Sequence, residues 1–238
     1  MKRKLYLVLD VETANTTEDA LVYDLGFVVC DKKGTIYEQK SLIVSDIFYG
    51  ESDLMNSAYY AEKIPQYAEG IKTRTFQVVS FYTAKKIIAE TIRKYNISAV
   101  CAYNANFDTK ALNTTERWLT KSKYRFFLPY GIEIFCIWSM ACQTLCMQKA
   151  FIRFCFENGF VSPSGNVKTS AETVYAYITQ NPTFDESHTG LADVLIETKI
   201  MAKCFRQHKK MDKQINRLCW RIPQALAKEI RAELAEGG

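Results

Sequence analysis

Leu5-Tyr6-Leu7-Val8-Leu9-Asp10-Val11-Glu12-Thr13 reads as a strand from the middle of a sheet, ending in acid. Residues 4–12 read as a buried strand, with the continuous apolar run Leu5 to Leu9 in the pattern of a strand covered on both faces. Asp10 and Glu12 are two apart, so on a strand they emerge on the same face. Two carboxylates held together repel unless a cation sits between them. Hard oxygen donors of this kind select Mg²⁺ or Mn²⁺. The basic start Met1-Lys2-Arg3-Lys4 is followed by no small-residue cleavage site, so a first strand is expected here rather than a signal peptide.

Outward from this strand, the run 25–30 leads into Asp31-Lys32-Lys33-Gly34, a turn with glycine placed for positive φ, and 35–44 returns as a second arm. The two arms predict an antiparallel hairpin. Residues 46–75 are polar and aromatic, with room for short helices. Ser80 can cap a helix whose apolar positions 84, 87, 88, 91 and 92 recur at helical spacing and which ends near Tyr95-Asn96. A fourth strand over 98–103 and a helix over 106–121 follow. Residues 136–147 and 150–157 read as apolar helices broken at Asn158-Gly159. Pro163-Ser164-Gly165 is a turn, Ser170 caps a helix to about Thr179, and the last long pattern covers 189–208. Pro223 interrupts a further helical stretch. This order predicts an α/β fold, a mixed sheet flanked by helices.

At 238 residues the chain suits one large domain with an appendage. Its 48% hydrophobic and 24% charged content is that of an ordinary globular protein, and no apolar run is long enough for a membrane span. The eight cysteines form no CxxC pair, and Cys142 and Cys146 have no histidine nearby to complete a zinc site; reduced, buried thiols in a cytoplasmic protein are expected. The net charge of +5 resides at the C-terminus: from residue 199 onward ten Lys and Arg face four acids, while the remainder holds 21 basic and 22 acidic residues. A carboxylate-lined core with a basic appendage suits a polyanionic substrate.

Two further patches complete the site. Tyr103-Asn104-Ala105-Asn106-Phe107-Asp108 follows the fourth strand directly, which sets Asp108 in the first turn of a helix. The carboxyl ends of neighbouring strands in such sheets define the crevice where ligands bind. His188-Thr189-Gly190-Leu191-Ala192-Asp193 opens the last long helix, with His188 one of two histidines in the chain. An imidazole has the unperturbed pKa to take a proton from water near neutral pH.

Together, Val8 to Thr13, Ala102 to Asp108 and His188-x-x-x-x-Asp193 resemble the DEDDh 3′–5′ exonucleases, the DnaQ-like or RNase T superfamily within the ribonuclease H-like fold. The resemblance covers about residues 4–205, and Asn-Ala-x-Phe-Asp after a strand is its most specific part. It implies that Asp10, Glu12 and Asp193 hold one divalent ion, that Asp10 is shared with a second supported by Asp108, and that His188 deprotonates the attacking water. It also sets Thr13, Asn104 and Phe107 against the substrate. In-line displacement between two Mg²⁺ or Mn²⁺ ions is the chemistry implied. Many relatives carry Thr-Gly where this chain has Ala14-Asn15, and Asp-Thr where it has Phe135-Cys136-Ile137. The stretch 165–172 looks like one in phage-type members, and Lys168 there could meet a phosphate.

Arg206, Lys210, Lys213, Arg217 and Arg221 recur at steps of three or four, so a helix would align them along a nucleic-acid backbone. The expectation is therefore an exonuclease domain over 1–205 and a basic helical extension over 206–238. Its activity is metal-dependent 3′–5′ hydrolysis of nucleic acid, single-stranded DNA in the first reading, to nucleoside monophosphates. RNA trimming by the same chemistry is the nearest alternative, and a non-catalytic nucleic-acid-binding subunit the other. The partners expected are a nucleic acid with a 3′ end, no membrane, and a polymerase or repair protein for any proofreading role.

Overall fold

The computed structural model describes residues 3–56 and 61–236, with side chains to residue 233. Six strands form one sheet: β1 (Leu5–Ala14), β2 (Leu21–Asp31), β3 (Ile36–Val44), β4 (Gln77–Val79), β5 (Ala99–Ala102) and β6 (Ile134–Cys136). Their order is β4-β3-β2-β1-β5-β6. Only β2 runs against its neighbours; the β1–β5, β5–β6 and β3–β4 pairs are parallel. The hairpin is present, and Gly34 takes φ +86° in its turn.

Period-two alternation decides what each face holds. Leu7, Leu9 and Val11 of β1, with Leu25, Phe27 and Val29 of β2, join one apolar layer. That layer includes α3 (Ile64–Lys72), α4 (Phe81–Tyr95) and α5 (Ala105–Thr120). Tyr6 and Val8, with Val28 and Cys30, join the opposite layer, built from α6 (Ile137–Thr144), α7 (Lys149–Glu157), α8 (Ala171–Thr179) and α9 (Gly190–Arg206). Asp10 and Glu12 share the parity of Tyr6 and Val8, so they emerge under α9. A one-residue slip of β1 would bury both acids in the α4–α5 layer and expel Leu9 and Val11, which fixes the register.

A register shift between Glu12 and Thr13 pairs Glu12 with Asp24 and Thr13 with Val22. The Val22 N–H at this bulge is taken by the Thr115 hydroxyl of α5, 2.9 Å away in the core. Ser80 and Ser170 cap α4 and α8, each accepting from the amide three residues on, as expected. The short helices expected over 46–75 are α1 (Ser45–Phe48), α2 (Ser52–Asn56) and a 3₁₀ turn at Ala61–Lys63 before α3; residues 57–60 lie outside the described part.

Two expectations are corrected. Cys136 ends a strand instead of opening a helix, since Ile134–Cys136 pairs with β5 before α6 begins at Ile137. The continuous basic helix from Arg206 to Arg221 is also absent. After α9 ends at Arg206, residues 207–218 are irregular, followed by a 3₁₀ turn at Cys219–Arg221 and α10 (Gln224–Glu236). The physical reason lies at the outer edge of β6, where the Cys136 N–H needs an acceptor and finds the Lys213 carbonyl at 2.8 Å. Lys213 lays its ammonium over the Phe135 ring, 5.3 Å from its centroid. The segment is thereby spread along the sheet edge, and α10 packs back on α7.

Candidate active site

At the carboxyl ends of β1 and β5 a cavity of about 420 Å³ opens between α5 and α9. Asp10, Glu12, Asp108, His188 and Asp193 all line it. Each arrives by a separate local rule. Asp10 and Glu12 come by strand parity. Asp108 comes from the first turn of α5, where the helix dipole favours a carboxylate. Asp193 comes from the first turn of α9, and His188 from the residue pair before that helix, in a left-handed backbone with φ +52°. Potential ligand atoms of Glu12, His188 and Asp193 lie within 4.8 Å of one another.

The start of α9 is fixed by a residue the sequence reading passed over. Thr189 makes no side-chain cap. Instead the Gly190 N–H donates to Asp24 Oδ2 at 2.9 Å, and the Tyr67 hydroxyl donates to the same oxygen at 2.9 Å. Asp24 is fully buried on β2, so α9 is capped from the sheet. This docking requires glycine on both sides. A Cβ on Gly190 would lie 2.6 Å from the Gly26 amide nitrogen, and a Cβ on Gly26 would overlap the Gly190 backbone.

The electrostatics are those of crowded acids. Burial first, then Glu197, Asp108, Glu12 and Asp193, push Asp10 well above the ordinary carboxylate range. Burial and then Asp193 and Asp24 raise Glu12 to about 9. Burial raises Asp108 to about 7 against hydrogen bonds that favour its ionised form. Burial and Asp24 raise Asp193 to about 7. His188 is lowered, by burial first and Lys63 second, against Glu172, Asp185 and Glu62, which favours the neutral imidazole. Asp193 Oδ1 is buried with no hydrogen-bond partner among the described residues. An orphaned carboxylate oxygen facing other acids and an imidazole is a donor set that fits a hard divalent cation.

Two further acids line the cavity unpredicted. Glu197 stands one turn after Asp193 on the same face of α9, fully within the protein, and accepts from the Tyr103 amide at 3.1 Å. That i, i+4 spacing was its available signal. Glu186 lies two residues before His188 and is raised to about 8, chiefly by burial.

The expected substrate contacts divide. Asn104 and Phe107 line the cavity. Arg217 is outside the lining and donates from Nε and Nη2 to Oδ1 of Asn106, next to Phe107 in sequence, at 3.1 and 2.9 Å. Thr13 lies just past the bulge, outside the lining, and Lys168 is exposed in the loop before α8, also outside it. Lys213 is at the β6 edge. Asn15, where many relatives of the resembled family carry glycine, adopts φ +71°, the left-handed conformation asparagine tolerates best after glycine.

All eight cysteines are free and buried, and no helix among the described residues is long and apolar enough to cross a membrane. No protein-family model matches the chain, and no curated protein does. Among solved structures it is similar to the zinc-bound form of E. coli exonuclease I with single-stranded DNA, at TM-score 0.54 and 13% identity over 87% of this chain and 41% of that one. It is also similar to E. coli exonuclease I with a dA16 oligonucleotide, at TM-score 0.51 and 12% identity over 83% and 40%. The chain thus spans about two fifths of the length of these neighbours. The likeness is one of fold: a ribonuclease H-like mixed sheet flanked by helices.

Proposed function

We propose that the chain is a nuclease dependent on Mg²⁺ or Mn²⁺, removing nucleoside monophosphates from the 3′ end of single-stranded nucleic acid, with DNA as the first substrate. One observation carries the reading: acids from β1, α5 and α9, with His188, line a single cavity, and ligand atoms of Glu12, His188 and Asp193 fall within 4.8 Å. The neighbours with this fold were solved with single-stranded DNA, which favours the same class of substrate.

On this reading Asp10, Glu12 and Asp193 hold one ion, and Asp10 with Asp108 supports a second. When bound, such ions neutralise phosphate charge and lower the pKa of water. His188, kept neutral by burial, accepts a proton on a ring nitrogen. Asp24 and the paired glycines hold Asp193 and His188 at the cavity by fixing the start of α9. Phe107 offers a ring to the terminal base, and Arg217, braced by Asn106, offers a cation to a phosphate. The segment beyond residue 206 acts as a basic arm along the sheet edge.

The test uses 3′- and 5′-labelled DNA and RNA oligomers with Mn²⁺ or EDTA. A 5′-labelled strand should shorten stepwise while a 3′ label leaves at once as mononucleotide, only with the ion. Asp10→Ala should abolish the release and leave the circular dichroism unchanged. Release that survives in Asp10→Ala, or its absence from the wild-type chain, sinks the reading; the DNA and RNA arms give the sugar preference.

A further inference from the structure

The outer face of α5 leads away from the carboxylate cavity and carries a charge pattern that the site itself does not explain. Between Thr109 and Ile132 there are five cations, Lys110, Arg117, Lys121, Lys123 and Arg125, and a single acid. That acid, Glu116, is buried and paired with Lys85 at 2.9 Å, so it does not offset the exposed cations. Lys110 and Arg117 of α5 are exposed seven residues apart, and Lys121, also exposed, follows at its C-cap.

Aromatic rings interleave with these cations. The Arg117 guanidinium lies over Phe126 at 5.3 Å, Lys121 over Trp118 at 4.6 Å and Lys123 over Tyr124 at 5.2 Å. Phe126 is 57% exposed, and Tyr124 and Tyr130 more so. Phe126 and Tyr130 also wall a second cavity of about 390 Å³, floored by Thr109, Leu112, Leu128 and Ile134. Thr109 immediately follows Asp108, so α5 borders both this cavity and the carboxylate cavity. Exposed rings of this size on a monomer's surface cost solubility unless something uses them.

We propose that this face of α5 and the loop over 121–132 form a binding track for the single strand upstream of the nucleotide in the carboxylate cavity. Bases stack on Phe126 and Tyr130, and phosphates meet Lys110, Arg117 and Lys121. The chemistry favours nucleic acid over an apolar protein partner because the rings are bordered by cations with no exposed acid between Thr109 and Ile132. Acids lie beyond this span: Glu133 is exposed just after Ile132, and Asp46 shares a cavity with Arg125 and the buried Glu116. At the far end Asp19 shares one with Arg117 and Lys121 while Glu51 accepts from the Trp118 indole, and there the track stops. From Asp108 to Arg117 the helix rises about 14 Å, enough for about four stacked nucleotides. The inference rests on the nucleic-acid reading of the carboxylate cavity but not on its hydrolytic chemistry.

The experiment measures fluorescence anisotropy of labelled oligo(dT) with the full chain in EDTA, so that no hydrolysis intervenes. The probes are lengths of about three and about twelve nucleotides, chosen to fall short of the track and to exceed it. Phe126→Ala and Tyr130→Ala should each weaken the long probe roughly tenfold and leave the short one unchanged. Arg117→Glu with Lys121→Glu, both on the surface, should also weaken the long probe and reduce its salt dependence by about 1.4 in log–log slope. Equal binding of the long probe by wild type and by the charge-reversed chain overturns the proposal, including the case in which an apolar protein is the true occupant. Hydrolysis is followed separately with Mn²⁺: long-probe affinity that depends on these residues without mononucleotide release upholds the track and rejects the nuclease, whereas release without that dependence does the reverse.

Discussion

Gly190→Ala sets two opposed effects of known size against each other. At the first residue of a helix with ordinary negative φ, alanine gains about 0.5–1 kcal/mol over glycine through the entropy of the unfolded chain. Against this, the new Cβ would lie 2.6 Å from the Gly26 nitrogen, with Asp10 O at 3.2 Å and Asp24 Oδ1 at 3.3 Å. Ordinary contact begins at 3.4 Å, so the start of α9 must retreat from β2 by about 0.8 Å. The two nearest of these atoms are backbone, and β2 is held in the sheet on both sides. Overpacking of this kind costs about 1–3 kcal/mol, and stretching the Gly190 N–H bond to the Asp24 carboxylate adds about 1.5–3 kcal/mol. Sterics win, with a net loss of about 2–5 kcal/mol in urea denaturation. Asp193 is three residues into the same helix and moves with it, so release of mononucleotide should slow by about 10²-fold, as expected for misplacement near 1 Å. Val28→Ala provides the comparison: it opens a void on the same face of β2 without pushing α9, and should destabilise by about 1–3 kcal/mol while altering the rate only a few-fold. A Gly190→Ala chain that is more stable than wild type and fully active would refute the close-docking argument.

Two other outcomes are expected. In EDTA the melting temperature should fall as pH rises from about 5 to 8: Asp108 and Asp193 at about 7 and Glu12 at about 9 lie above their unfolded values, so their protons are held in the fold and that stability is lost as they ionise. Mn²⁺ at a concentration a hundredfold over its Kd at about pH 7 should then restore about 2.7 kcal/mol there, some 5–10 °C for a chain of this size, and at that same fixed concentration the increment should grow with pH; one that stays constant with pH argues against these acids as the ligands. Thr115→Val removes the acceptor for the buried Val22 N–H at the bulge and should cost about 1–3 kcal/mol by urea titration, while a neutral result means the bulge amide finds another partner.

What could be read from the chain follows from which signals are local. The β1 run, the hairpin and the serine caps of α4 and α8 are short-range patterns, and all are present. β4 and β6 have three residues each, too few to alternate, and β6 runs into α6 with no breaker between them. The basic residues after Arg206 keep helical spacing without a matching apolar stripe. A spacing of charges cannot hold a helix against the demand of the Cys136 amide for an acceptor, so the segment follows the sheet edge. Asp24 was missed for the opposite reason. It interrupts an apolar run and therefore looks like the end of a strand, whereas β2 continues through it to Leu21 because Tyr67 and Gly190 both donate to its Oδ2 inside the core.

Asp24 also clarifies why so many acids can be kept in one place. A cap for α9 could be an uncharged serine, yet the residue beneath the helix is a carboxylate raised by burial to about 6, and it repels both Glu12 and Asp193. In a protein with no use for cations this arrangement only costs stability, since every acid must be protonated or left facing its neighbours. With a divalent ion as proposed, the same crowding becomes selective. The oxygens that hold protons near pH 7 are those that would hold the ion, so binding releases protons and the affinity rises steeply with pH. The rigidity of the α9–β2 contact matters for the same reason: acids free to separate would relieve their repulsion by moving apart, and the paired glycines deny them that route.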